Sequence, residues 1–491
     1  MNLVKTLNIF FIITILALLP FGFTSYVGNK FYYLVFSLIS SHALLISFNK
    51  NSISFESFFS LLLWLGFWFK FTVQISFLDS LFPEGIGIFD YEPNSYDDVL
   101  VISSVGIIGF IAARYFRLRF IFNYSDFNVN KFDYKNYLNF YVNYRKNIFI
   151  LYFFLIIFFS ITNFIFTFIQ KGTVHETTLP FALNNFVNWL LMFGLASFST
   201  LIIFFEFQFK KTNSNSMIKY GLFETFISSI SILSRAMIFN STAIIYGFYR
   251  LVEMNNIKIK KVIFLRYFAI VLVLFIISLL TVGKIRQSKD FPRGHEAYIY
   301  MPSIELNTKN KASNLITSAI VFTNNFTKEV NQIFFLVTSR WVGVEGVMAV
   351  SSKTNLNFDL FIDSFNDKFD YSNSFYENKI KEKKVIYKKE PKIFTVYVPG
   401  IIAFLFYTKS LIFLFFSIFI LCIFCSIVEY FAYKMSKGNI LFSYLIGNVL
   451  AYRLIHFGYL PQNTYKFLLA VLFNLFFIYF ILKIIKRFNN K

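Results

Sequence analysis

The chain alternates between helix-length apolar segments and shorter polar segments along most of its length. A membrane-spanning helix needs about 20 mainly apolar residues, because the hydrocarbon core of a bilayer is about 30 Å thick. The pattern therefore predicts an all-α, polytopic integral membrane protein with about 12 transmembrane helices. The predicted single spans are residues 7–26, 31–48, 57–78, 99–116, 148–169, 185–206, 263–282, 411–432, 440–458 and 466–485.

The two remaining helices come from one longer apolar stretch, residues 219–250. Basic residues flank this stretch on both sides, and lysine and arginine concentrate in the cytoplasmic loops of membrane proteins. Both of its ends should therefore be cytoplasmic, which requires a hairpin of two short helices. The midpoint is Ser234-Arg235, and an arginine is less costly at a turn that reaches water than inside the bilayer. We expect Arg235 at the outer tip of this hairpin.

A long polar insert interrupts the apolar pattern late in the chain. The short apolar segment after it contains Pro399-Gly400, which disfavours a continuous helix. If that segment does not cross the membrane, the later basic clusters and both termini are cytoplasmic. We predict a multi-pass protein of the bacterial plasma (inner) membrane. Its regions are residues 1–282 with helices one to nine, 283–393 as an extracytoplasmic loop domain, 394–408 as a re-entrant or interfacial helix, and 409–491 with helices ten to twelve.

Composition agrees with this class, since 56% of the residues are hydrophobic and the mean hydropathy is +0.59. The net charge of +21 is explained by basic cytoplasmic loops that attract anionic lipid headgroups, so we expect a lipid bilayer and no nucleic acid as partner. Cys422 and Cys425 lie in one apolar run without a nearby histidine or second cysteine pair, which excludes a zinc site there. No metal or cofactor is expected.

Several ionisable residues fall in the insert or at helix ends that should face the same, outer side. Such groups within or beside membrane spans are functional candidates. Arg453 and His456 are three residues apart and share one helix face. The other candidates are Arg235 at the hairpin tip, Arg340, Trp341 and Glu345 in an apolar stretch of the insert, Arg286, Arg293 and His295 early in the insert, and Lys70 in the third span.

Each candidate also has a structural explanation. Arginine and lysine near the end of a span can reach lipid headgroups by snorkelling, which would account for Arg453 and Lys70. A residue in a turn or polar loop is solvated without any function, which applies to Arg235 and to the arginines of the insert. The charge-rich residues 359–392 are predicted to be such a solvated surface. The acidic pair Asp97-Asp98 could hold a divalent cation, although adjacent acids are common in loops.

The layout resembles the bacterial O-antigen and oligosaccharide repeat-unit polymerases (Wzy-type) and the related O-antigen ligases. The resemblance covers most of the chain as architecture, with many helices and a single large outer loop late in the sequence. A pattern of some polymerases, an arginine followed eleven positions later by glycine, is absent because Arg235 is followed there by Tyr246. The stretches that carry the resemblance are WLGFWFK, PEGIGIFD, the Ser234-Arg235 tip, Arg340-Trp341 with Glu345, and the Pro399-Gly400 segment.

The resemblance implies glycosyl transfer between two undecaprenyl-pyrophosphate-linked glycans on the outer face of the plasma membrane. Positioned arginines would stabilise the charge that grows on the leaving pyrophosphate, so no metal is needed. A chain-length regulator is a further expected partner. The residues expected to bind pyrophosphate or glycan are Arg235, Arg340 and Arg453, then Arg286, Arg293, Lys70 and Trp341; Glu345, His295 and His456 are the candidates for the general base.

Other functions fit parts of the same pattern. A transporter or flippase of polysaccharide precursors would also have twelve helices, but its charges should lie near the middle of the membrane. A ligase would differ from a polymerase only in its acceptor. A transferase of single polyprenyl-linked sugars should carry acidic residues in the first outer loop, and residues 27–30 contain none.

Overall fold

The computed structural model describes most of the chain between residues 3 and 488. Outside the described part are residues 1–2, 79, 81, 83–85, 124–126, 128–131, 133, 172–176, 178, 181–182, 211–216, 235–237, 258–260, 291–340, 367–373, 382–396, 459 and 489–491, and the side chains of residues 3, 261, 286–290 and 488.

The described residues form helices and no β-strand, which confirms the predicted all-α class. Among these helices, nine (α1–α6, α9, α13 and α15) are long and apolar enough to cross a membrane, so the protein is a multi-pass membrane protein. Besides single turns, the helices in chain order are α1 (Leu3–Ser25), α2 (Lys30–Ser47), α3 (Ser54–Phe77), α4 (Pro93–Ile121), α5 (Lys135–Phe166), α6 (Leu183–Lys210), α7 (Ile218–Ser231), α8 (Ile238–Met254), α9 (Lys261–Asp290), α10 (Val344–Ser351), α11 (Phe358–Asp363), α12 (Ile401–Leu405), α13 (Leu411–Met435), α14 (Ile440–Ile455) and α15 (Thr464–Phe488).

The short helix α14 lies at the centre of the bundle, against α3, α8 and α13. Its first turn is fixed by Asn439, whose side chain accepts hydrogen bonds from the next backbone N–H groups at 3.1 and 3.2 Å. The tight turn from α13 uses Gly438, whose φ of +84° favours glycine. Helices α3 and α6 are also largely buried, whereas α1, α5 and α9 expose apolar faces of the kind that contact lipid.

Residues 219–250 form two short helices, as the flanking charges predicted. Helix α7 ends at Ser231 and α8 begins at Ile238, and Arg235 between them lies outside the described residues. This turn marks one end of the bundle, which we call the hairpin-tip end. The other end, where Arg250 of α8 bonds the Tyr444 hydroxyl at 3.2 Å, we call the opposite end.

The structure corrects the predicted boundary of the insert. Helix α9 continues to Asp290, past its predicted end at residue 282, so Arg286 lies on a helix rather than in a polar loop. Helix α10 belongs to the insert in sequence but lies inside the bundle, with every residue from Val344 to Val350 buried. The predicted solvated surface at residues 359–392 is also wrong in part, because Phe361 and Ile380 are buried. Their apolar side chains cover the bundle instead of facing water.

The Pro399-Gly400 segment leads into the short, buried helix α12. Gly400 adopts a φ of +81° and donates its N–H to Phe457 O at 3.2 Å, which ties the segment to the chain just after α14. The backbone of Pro399 also approaches Gly346 so closely that a side chain there would collide with it. Helices α10 and α12 therefore lie together near the hairpin-tip end.

Candidate functional site

Helix α3 widens into a π-helical turn at Trp64–Phe69, directly before Lys70. Its Gly66 touches the backbone of Val342 and Gly343, and a Cβ at either glycine would collide with the other segment. Glycine allows this approach because it has no side chain, and π-helical turns are frequent at functional sites. The contact places Lys70 beside the first turn of α10.

Lys70 and Glu345 form a buried ion pair between α3 and α10. The side-chain exposures are 0% and 3%, and Lys70 Nζ also donates to the carbonyl oxygen of Trp341 at 2.9 Å. A charge at this depth is tolerated only when it is paired and hydrogen-bonded. Glu345 also lies in the first turn of α10, where the helix dipole favours a negative charge. The pair therefore anchors the start of α10 inside the bundle.

A row of aromatic rings connects this ion pair to the end of α14. Trp341 lies 6.1 Å from Phe239 at the start of α8, measured between ring centroids. Phe239 lies 6.0 Å from Tyr452, and Tyr452 stacks on His456 at 4.0 Å. Glu345 and Trp341, predicted from one stretch of the insert, thus share one region of the hairpin-tip end with His456, which was predicted from a different span.

Arg453 and His456 lie where α14 ends. The guanidinium of Arg453 is 5.6 Å from the ring centroid of Phe467, and its Nε has no hydrogen-bond partner. His456 Nδ1 is 3.0 Å from Tyr452 O, so the carbonyl accepts a hydrogen bond from Nδ1–H. In the neutral ring this leaves a lone pair on Nε2, which can accept a proton.

Three arginines at the opposite end of the bundle form ion pairs with glutamates. Arg117 bonds Glu56 at 2.6 Å, Arg145 bonds Glu206 at 2.8 Å, and Arg250 bonds Glu253 at 2.6 Å. Across the described residues, Arg453 makes no such ion pair. A half-buried arginine without a carboxylate is costly unless an anion can reach it. The arrangement leaves a positive charge at the hairpin-tip end that an anion could neutralise.

Lys171 is a second cation at this site that the sequence reasoning missed. The backbone N–H of Lys171 donates a hydrogen bond to Ile232 O in the hairpin turn at 2.8 Å. The side-chain amide of Asn163 donates to Ser231 O of the same turn at 2.9 Å. Part of the Lys171 side chain faces solvent, and the rest is enclosed by neighbouring protein atoms. This burial, and second the nearby charge of Arg453, lower the pKa of Lys171 to about 8. No motif marks a single loop lysine, so it could not be predicted from the sequence.

The remaining predicted residues are not brought to the site by any described contact. Arg235, Arg293, His295 and Arg340 lie outside the described residues, as does the side chain of Arg286. Asp97 of the acidic pair has a structural role, because it accepts hydrogen bonds from the Tyr26 hydroxyl at 2.7 Å and from Asn29 N at 3.0 Å. Within the described part of the chain, no group of three or more metal-ligating residues occurs.

The site thus combines two cations, an imidazole with a proton-accepting nitrogen, and a buried ion pair linked to them by aromatic rings. Such a set can bind an anionic group and accept a proton near it. Comparison with protein-family models, curated proteins and solved structures gave no match. The functional argument therefore rests on the geometry of the site and on the architecture of the chain.

Proposed function

We propose that the protein polymerises undecaprenyl-pyrophosphate-linked oligosaccharide repeat units into a surface polysaccharide, either O-antigen or capsule. The observation that carries the proposal is Arg453, which lacks a carboxylate among the described residues and lies near the second cation, Lys171. Two clustered cations suit a ligand with two linked phosphates, and a guanidinium can hold phosphate oxygens through two parallel hydrogen bonds. An O-antigen ligase would use the same chemistry with a different acceptor.

The proposed step is a substitution at the anomeric carbon of the donor glycan. The acceptor hydroxyl oxygen bonds to that carbon, while the bond from the carbon to the pyrophosphate oxygen breaks. The electron pair of the broken bond leaves with undecaprenyl pyrophosphate, whose growing negative charge Arg453 and Lys171 stabilise. No step requires an oxidant or a bound metal.

The acceptor hydroxyl loses its proton to a general base. Nε2 of His456 fits this role, because the bond from Nδ1 to Tyr452 O leaves its lone pair available. Glu345 was the first candidate from the sequence, but its carboxylate is held in the buried ion pair with Lys70 and is not free to face a substrate. We assign Glu345 and Lys70 to positioning α10 and Trp341. His295 stays a second candidate for the base.

In the proposed membrane arrangement, the hairpin-tip end faces the outside of the bacterial plasma membrane and both termini are cytoplasmic. The nine long helices, α14 and the α7–α8 hairpin would together supply twelve crossings. Helices α10 and α12 would not cross, because eight and five residues rise only about 12 and 8 Å. A chain-length regulator would bind the assembled polymerase.

A transporter of polysaccharide precursors is the second candidate, and one buried acid favours it. Glu224 lies on α7 and is almost fully buried; its Oε1 accepts a hydrogen bond from Ser228 at 2.8 Å, and its Oε2 has no partner. Transporters use ionisable groups at membrane depth to bind substrate or coupling ions. The polymerase is favoured because the unneutralised arginine lies at the end of the bundle rather than in its middle.

Deleting the gene in its host and measuring the length of the surface glycan on a gel tests the proposed function. We expect a glycan of one repeat unit that the wild-type gene restores to long chains. Unchanged chain length would contradict a polymerase. Complete loss of the surface glycan, with lipid-linked repeat units held inside, would support the transporter instead.

Lys171 should make anion binding depend on pH. We expect the Kd for inorganic pyrophosphate to rise about tenfold or more as the pH rises through about 8, because deprotonation of the Lys171 amine removes a charged hydrogen bond worth about 1.5–3 kcal/mol. Isothermal titration of the purified protein between pH 6.5 and 9.5 measures this change.

The matched control is Lys171→Arg, which stays protonated over this range. Pyrophosphate itself also changes protonation with pH, but equally for both proteins, so their difference isolates the lysine. We expect Lys171→Arg to remove the extra loss of affinity and Lys171→Gln to bind weakly at every pH. Identical pH profiles for the wild type and Lys171→Arg would exclude Lys171 from the anion site.

A further inference from the structure

Tyr91, in the loop before α4, has a backbone conformation that bulky residues rarely adopt. Its φ is +62°, in the left-handed region. Such a conformation is strained for a tyrosine and persists only where the surroundings enforce it, and residues of this kind cluster at functional sites. The side chain is nonetheless 46% exposed, so burial of the ring does not explain the conformation.

Two buried rings hold Tyr91 from one side. Its ring centroid is 5.6 Å from that of Phe89 and 6.4 Å from that of Tyr96, and both of these rings are buried. Offset and edge-on aromatic contacts at these distances are favourable and directional. The ring of Tyr91 is therefore fixed in place while part of its surface faces solvent.

The same loop lies against the helix that carries the buried ion pair. A Cβ on Gly87 would be 3.6 Å from Ala349 Cα and 3.5 Å from Ile380 O, so the loop touches α10 directly. Ala349 follows Glu345 by four residues, which places both on the same face of α10. Burial, and second the charge of Glu345, raise the pKa of Tyr91, which agrees with this placement.

We propose that Tyr91 is a sugar-stacking residue that holds the acceptor glycan beside the Lys70–Glu345 pair. This inference rests on the proposed function, because it assigns the acceptor side of the same reaction. A tyrosine offers a large, rigid and amphipathic surface at a low entropic cost, which suits the apolar face of a sugar ring. The fixed ring would orient the acceptor hydroxyl towards the cation site.

A tyrosine that merely anchors the protein at the membrane surface is the competing explanation. The two are separated by binding of a lipid-free probe, the one-repeat oligosaccharide released by mild acid from the host's lipid-linked glycan. We expect the purified full-length protein to bind it and Tyr91→Gly to weaken binding at least tenfold. Glycine adopts a positive φ without strain, which offsets the lost ring contacts with Phe89 and Tyr96, so we expect only a small change in thermal stability.

Tyr91→Trp should retain binding, because it keeps an aromatic face. The control is Tyr32→Ala, which removes a tyrosine that is 39% exposed at the start of α2, and it should bind like the wild type. Wild-type affinity in Tyr91→Gly, or no binding of the oligosaccharide to the wild type, would overturn the inference. The proposed polymerase function is tested separately, by the length of the surface glycan on gels. If the protein lengthens glycans but Tyr91→Gly does not weaken oligosaccharide binding, only the role of Tyr91 is refuted.

Discussion

Arg453→Ala is expected to slow glycan polymerisation by about a hundredfold or more. Removing one group that stabilises developing negative charge in a transition state typically costs a factor of about 10²–10³. Arg453 is a half-buried arginine that forms no ion pair among the described residues, so its charge is available to the leaving pyrophosphate. The measurement is the rate of chain growth by purified protein with lipid-linked repeat units.

Two variants sharpen this test. Arg453→Lys keeps the charge but loses the paired donors of the guanidinium, so we expect a partial recovery. Arg119→Ala removes an exposed arginine near Phe120 at the opposite end, and the rate should not change. A wild-type rate in Arg453→Ala would remove Arg453 from the catalytic account, whatever the effect of the other changes.

Lys70→Met is expected to lower the free energy of unfolding by about 3–5 kcal/mol. Removing one partner of a buried ion pair leaves the other charge uncompensated, and Glu345 has a side-chain exposure of only 3%. Unfolding of the detergent-solubilised protein, followed by circular dichroism, measures the loss. The double variant Lys70→Met/Glu345→Gln should recover much of it, because no charge then remains unpaired.

The matched control for Lys70 is Lys210→Met. Lys210 bonds Glu206 at 3.0 Å but is 36% exposed, and Arg145 also pairs with that glutamate. We expect a loss below about 1 kcal/mol, as for most exposed pairs. Equal losses for Lys70→Met and Lys210→Met, or a double variant no more stable than Lys70→Met alone, would show that the buried pair does not anchor α10.

Local patterns predicted much of the architecture. The apolar segments gave the helical membrane class, and the basic flanks of residues 219–250 predicted two short helices. The predicted span at residues 440–458 placed Arg453 and His456 near its end, and both lie at the end of α14. These signals succeed because hydrophobic length and charge placement act within a segment.

The rest of the site depends on contacts between distant segments. The stretch around Glu345 was assigned to an outer insert, because the sequence does not show that Lys70, far away in the chain, neutralises it. The close approach of Gly66 and Gly343 is likewise invisible in either segment alone. Lys171 belongs to the site only through the fold, which brings its loop to the hairpin turn and to Arg453 of α14.

The most direct test of the polymerase is reconstitution of the purified protein in lipid vesicles with a single lipid-linked repeat unit as the only glycan. The account predicts a ladder of longer glycans and release of one undecaprenyl pyrophosphate for every bond formed. A repeat unit that crosses the vesicle membrane without being lengthened, or that is not changed at all, would contradict it.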